Sequence, residues 1–145
     1  MVHTVRRFLT VACPIAALLT AAQAFAHHGS AASYDTSKQT TLTGVVTEWV
    51  WKNPHCFILF DVTDDHGSVV NWGAETHPTN FLVRNEVKGV PVPLSAASFK
   101  PGDKIAVTLF PSRVGTPRGL LAKIVAADGT VMLDDGDTRA NRGGQ

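Results

Sequence analysis

From Thr40 to Leu133 the chain is divided into strand-length runs by turn signals at short intervals, a pattern that constrains it to a small all-β domain. Thr40 to Trp51 is rich in Thr, Val and Trp, side chains that suit a pleated and half-buried surface, and Gly44 in its middle predicts a bend or bulge. Asn53-Pro54 breaks this run, because proline cannot donate to a ladder. His55 to Thr63 then predicts a second strand, Asp64-Asp65-His66-Gly67 a turn, and Ser68 to Glu75 a third strand. Together they read as an antiparallel meander.

Pro78 to Lys88 changes the period. Phe81, Leu82 and Asn85 fall at helical spacing, with Thr76 or Thr79 available as a cap, so the stretch predicts one short helix. Gly89 to Ser98 reads as loop and Lys100-Pro101-Gly102-Asp103 as a turn, followed by strands over Lys104 to Phe110 and Gly119 to Ala127. Asp128-Gly129 leads into a last extended piece, Thr130 to Leu133. The order β-β-β-α-β-β is that of an OB-fold, so the expected architecture is all-β with one short helix, a five-stranded OB-like barrel over residues 40–133. Asp134 to Gln145 is charged and glycine-containing and predicts a disordered tail.

Ahead of the barrel, Met1 to Ala26 has the zones of an export signal. Basic Arg6-Arg7 precedes an apolar run from Phe8 to Leu19, and small residues close on Ala24-Phe25-Ala26. The run is well short of the ~20 apolar residues that a membrane-spanning helix needs, so no membrane span is expected. Arg6-Arg7 faintly resembles a twin-arginine signal, but two arginines are an ordinary basic start for general export, which is the favoured route. Either route leads to a periplasmic or secreted protein. Removing 26 of the 145 residues leaves 119, one domain's worth of chain, with residues 27–39 as an N-terminal arm. Without Arg6 and Arg7 the 13 basic residues become 11, against 12 acidic ones, a net charge of minus one. Nothing here offers the concentrated positive patch that nucleic acid requires. Cys56 is the only thiol left after Cys13 is removed, so no internal disulfide forms.

The boundary of the signal carries the main chemical clue. A cut after Ala26 makes His27 the amino terminus, where its amine and ring nitrogen can chelate one metal and a further imidazole completes a three-nitrogen set suited to Cu(II), a histidine brace. A cut after Ala24 also satisfies the small-x-small rule. Histidine would then be third, and the amine, two deprotonated amides and the ring make a square-planar set for the same metal. The further donors are His28, His55 at the start of the second strand and His77 just after the third, which an antiparallel pairing brings to one end of the barrel. His27, His28, His55 and His77 are thus the candidate metal site, with copper as the expected cofactor. An ordinary solvated arm at a mature terminus is the competing reading.

Cys56 shares its face with Ile58, Phe60 and Val62 and reads as a buried structural thiol. Glu75, at a strand end, reads as solvated, and His66 belongs to the hairpin turn and is excluded from the site. Trp49, Trp51 and Trp72 read as packing and rim residues, although the same face would serve a metal-free module for a glycan, lipid or protein partner. Gly-rich phosphate loops, Gly-x-Ser-x-Gly, His-Glu-x-x-His and Cys-x-x-Cys do not occur, so no catalytic residue is assigned. A copper redox enzyme ranks behind a carrier, sensor or accessory protein, since a small barrel offers little concave pocket for substrate.

Ala26-His27-His28-Gly29-Ser30, Tyr34-Asp35, Leu42-Thr43-Gly44-Val45-Val46, Asn53-Pro54-His55, Asn71-Trp72, Leu82 and Lys100-Pro101-Gly102-Asp103 form a recognisable set. The chain resembles an uncharacterised family of small exported bacterial proteins, a domain of unknown function with Ala-His-His-Ser near the cleavage site and Asn-Pro-His in the first hairpin. Gly29 stands where that family usually has Ser, and Cys56 where a small or other residue is common. The resemblance implies export and the fold but no activity. In size and architecture the chain is also similar to small periplasmic copper carriers of OB type, which use methionines where this chain keeps only Met132.

Overall fold

The computed structural model of the chain describes residues 32–136. Six strands form the main sheet: β1 (Thr40–Val50), β2 (Phe57–Thr63), β3 (Val69–Glu75), β6 (Lys104–Pro111), β7 (Arg118–Ala126) and β8 (Val131–Asp134). A single-turn helix, α1 (Thr79–Leu82), and a small hairpin of β4 (Glu86–Val87) with β5 (Val90–Pro91) lie between β3 and β6. The strand order is β3-β2-β1-β6-β7-β8, and β3 also pairs with β7 in parallel through Gly73↔Arg118, Ala74↔Gly119 and Glu75↔Leu120. That pairing closes β1, β2, β3, β7 and β6 into a five-stranded barrel, the OB-like architecture expected from the element order. The seam pairs Gly73 to Glu75 of β3 with β7, covering part of the edge an open sheet would carry.

Alternation along the strands fills the barrel. Val46 from β1, Ile58 and Phe60 from β2, Ala74 from β3, and Ile105, Val107 and Leu109 from β6 point inward and are buried, together with Leu121 and Ile124 from β7. Leu82, Leu94 and Phe99, from the segment between β3 and β6, join the same core. A second, smaller cluster of Phe110, Leu120 and Ala122 lies outside this core, and Tyr34 packs against it. The arm is fixed there by backbone bonds from Asp35 N–H to the Pro111 carbonyl at 2.8 Å and from Arg113 N–H to the Ser33 carbonyl at 3.0 Å.

Four local expectations need correction. The helix predicted over Pro78 to Lys88 is confined to α1, because Asn85 turns the chain out of it. The Asn85 amide donates to the Val92 carbonyl at 2.7 Å and to the Met132 carbonyl at 2.8 Å, which favours the β4–β5 hairpin over a second helical turn. Neither Thr76 nor Thr79 caps the helix: Pro78 holds the N-cap position without a side-chain bond. Gly44 is not the bulge, which lies between Val46 and Glu48. Gly44 is instead a close approach, since a Cβ there would stand 2.4 Å from the Asp61 carbonyl oxygen and 2.8 Å from the Phe60 ring. Finally, β8 includes Asp134, and Asp135 is tied to His77, so the ordered chain runs past the tail boundary expected at Asp134. Residues 137–145 of that tail lie outside the described residues.

Candidate functional site

The entry to β2 and the exit of β3 lie side by side at one end of the barrel. Cys56 N–H donates to the His77 carbonyl at 3.1 Å and Thr76 N–H to the Cys56 carbonyl at 2.9 Å, which extends the β2–β3 pairing past both strand ends. Asn53 and Pro54, joined by a cis peptide bond, form the corner before it. The Asn53 side-chain oxygen accepts from both the Thr79 N–H, at 3.1 Å, and the Thr79 hydroxyl, at 3.0 Å, fastening the corner to α1. Alternation sends Cys56 and Thr76 into the core and leaves His55, Glu75 and His77 on the other face.

Glu75 is the hub of that face. His55 Nδ1 lies 2.6 Å from Glu75 Oε1, and the Tyr34 hydroxyl donates to Glu75 Oε2 at 2.8 Å, so each carboxylate oxygen has its own partner. The carboxylate is 17 % exposed whereas the imidazole is 51 % exposed. Its second nitrogen, Nε2, has no partner among the described residues. Arg118 stands beside them, close enough to Gly73 that a Cβ there would meet the guanidinium at 2.5 Å. Burial, and then the Tyr34–Glu75 bond and the glutamate charge, push the Tyr34 phenol well above its ordinary value, outweighing the opposing charge of Arg118.

Tyr34 is the only tyrosine in the chain, so its ionisation can be followed by the phenolate absorbance without interference. In the folded protein the phenolate band should emerge far above the ordinary ~10, and in denaturant it should return to that value. The sign follows from a raised folded-state pKa. The stabilisation from the neutral phenol is fully present below about pH 10 and is lost as the pH climbs through the folded-state value. A phenol that titrates normally in the folded state would show that the Tyr34–Glu75 bond is not made.

His77 is engaged differently. Its Nε2 lies 2.7 Å from Asp135 Oδ2, and its ring stacks on Phe81 with centroids 4.0 Å apart and planes tilted by 30°. The expectation that His55 and His77 share one end of the barrel is therefore met at the backbone, but each side chain is bound to a different carboxylate. Among the described residues no three His, Cys, Asp or Glu side chains form a group able to hold a metal. His27 and His28 lie outside the described residues. Of the two expected donors among the described residues, both are held by a carboxylate and His55 is the half-exposed one.

Cys56 is fully buried, with Sγ 3.6 Å from the Lys52 carbonyl, and burial raises its pKa more than that contact lowers it. It is a core thiol, as its position in the alternation suggests. The tryptophans are also packing residues. Trp49 sits 5.6 Å from Trp51 and edge-on to Phe99 at 5.2 Å, and its indole N–H donates to the Ser95 carbonyl. Trp72 is partly buried against the same core. His66 occupies the exposed hairpin turn, where Asp64 Oδ1 accepts its backbone N–H.

A β-barrel with a carboxylate-bound imidazole at its rim defines a class of protein without specifying its chemistry. The sequence matches the family of unknown function DUF6152 over residues 16–122, well over half of the chain, and the chain belongs to that family. No curated protein and no solved structure matches it.

Proposed function

We propose that this protein is an exported copper-binding module, a periplasmic or secreted carrier, sensor or accessory protein, in which His27 and His55 supply the metal's nitrogens. The observation that carries this reading is the state of His55. Its Nδ1 is held by Glu75 at 2.6 Å, which leaves Nε2 directed away from the carboxylate on a half-exposed ring. Ligating histidines are held this way, with one nitrogen on a carboxylate and the other on the metal. His27 contributes the amine and ring nitrogen of a processed terminus, and a nitrogen-rich set of this kind favours Cu(II).

The arm makes the combination attainable. Tyr34 is bonded to the carboxylate that holds His55, and His27 is seven residues earlier. Seven residues span at most ~25 Å when extended. The proposed site asks this short link to bring the terminus to His55. His28 is a second imidazole on the same tether. His77 would have to give up Asp135 to coordinate through Nε2, so it ranks behind His55. The other reading, a metal-free module that offers a tryptophan face to a glycan, lipid or periplasmic protein, is less well supported because the three tryptophans are committed to packing.

The test is a Cu(II) titration of two chains, one beginning at His27 and one keeping Ala24-Phe25-Ala26 ahead of it, which places no histidine second or third. The first should bind one equivalent tightly, and the second should lose that tight phase because its histidine amine is an amide. Equal binding by the two would rule out the terminal amine as a ligand.

A further inference from the structure

We infer that Glu75 and Tyr34 act as one positioning device that fixes which nitrogen His55 presents, and that this makes the state of His55 conditional on the seating of the N-terminal arm. The inference deepens the copper reading, and it rests on that reading only for the identity of what Nε2 would bind.

Glu75 is fixed first. It ends β3 at the closing seam, paired with Phe57 of β2 on one side and Leu120 of β7 on the other, so its backbone is held from both directions. Its two oxygens are then divided between His55 and Tyr34 at 2.6 and 2.8 Å. A carboxylate only accepts, so with a neutral imidazole the His55 bond requires the proton on Nδ1 and leaves the lone pair on Nε2. The hydrogen bond thereby selects a tautomer as well as an orientation.

Tyr34 is fixed independently of Glu75. Its backbone bridges to Ser112, its neighbour Asp35 donates to Pro111, and its ring packs on the cluster of Phe110, Leu120 and Ala122. The phenol is thus delivered to Oε2 by the seated arm. If the arm lifts, Oε2 of a carboxylate that is mostly buried loses its donor, and the geometry at Oε1 is no longer held from both sides. Seating of the arm and presentation of Nε2 favour one another. Such a coupling is reciprocal, so a ligand on Nε2 would also hold the arm down.

The experiment uses metal-free, 15N-labelled full chain at a pH where imidazoles are neutral, and reads the tautomer of His55 from its ring 15N–1H correlations. Wild type should show the Nδ1–H form as the dominant species. Glu75→Ala should convert it to mainly Nε2–H, and Tyr34→Phe, which keeps the ring packing, should lower the Nδ1–H share measurably. His66, exposed in the opposite hairpin turn, should be unchanged in every variant and serves as the reference for an intact fold. A dominant Nε2–H form in wild type, or a Tyr34→Phe tautomer ratio equal to wild type, would overturn the inference. Because no metal is present, these outcomes are separate from failure of the copper reading, which is decided by Cu(II) titration of the same proteins.

Discussion

Replacing His55 by alanine should abolish tight Cu(II) binding by a chain that begins at His27, while leaving the barrel folded. The imidazole is half exposed and lies outside the core, so the fold should survive its loss at a cost of ~1 kcal/mol for the Glu75 oxygen left without its partner. Its loss as a ligand is a different matter, because the terminal histidine alone supplies only two of the three nitrogens of the proposed set. Glu75→Ala should have a smaller effect, a loss of ~10–100-fold in affinity, since a residue behind a ligand orients it without donating to the metal. The ranking His55 first, Glu75 second and His77 weakest separates the proposed site from nonspecific binding by surface histidines. Isothermal titration under a competing chelator would resolve it. Equal affinities for the His55 and His77 variants would mean that the rim contributes no ligand.

The second large effect concerns the barrel. Phe60→Ala should cost ~3–5 kcal/mol, the range for a fully buried phenylalanine whose surroundings cannot collapse. Phe60 is fully buried in β2, opposite Val46 of β1 and Trp72 of β3. Its ring also occupies the space beneath Gly44, 2.8 Å from where a Cβ would stand, and the wall on that side is strand backbone. Backbone held in two ladders does not move inward to fill a void. Urea unfolding followed by tryptophan fluorescence would measure the loss, with Val69→Ala at a 59 % exposed position as a control within ~0.5 kcal/mol. A cost below 1 kcal/mol for Phe60→Ala would contradict the core assigned here.

The strands were legible because their signals are local. Thr, Val and Trp in β1 and the turn residues at Asp64–Gly67 and Lys100–Asp103 act within a few positions, so the meander and the later strands fall close to where the residues predict them. The helix over 78–88 was overestimated for a non-local reason. Asn85 bonds to the carbonyls of Val92 and Met132, the second of them on β8, and a spacing rule cannot anticipate a partner 47 residues away. Gly44 was legible as a special position but not in kind, since only the register of β1 on β2 shows that its missing Cβ makes room for Phe60 and Asp61.

The site divides in the same way. His55 at a rim corner follows from Asn53-Pro54, and its nearness to His77 follows from antiparallel pairing. The two carboxylates that separate them do not. Glu75 looks like a solvated strand end in sequence, yet it becomes a shared acceptor because Tyr34 arrives from 41 residues away. Asp135 likewise reaches His77 across 58 residues, from a stretch that reads as tail. A lone tyrosine beside an aspartate in an otherwise small, polar arm was the available signal for Tyr34. Its meaning depends on the Phe110, Leu120 and Ala122 cluster that receives it.

The most direct test of the copper site is native mass spectrometry of the protein recovered from cells that make it, reading the amino terminus and the bound metal in one measurement. The expected species begins at His27 and carries one copper ion, which it loses in the His55→Ala variant. A species that begins at His27 and carries no copper when copper is supplied, or that keeps it without His55, would contradict the site proposed here.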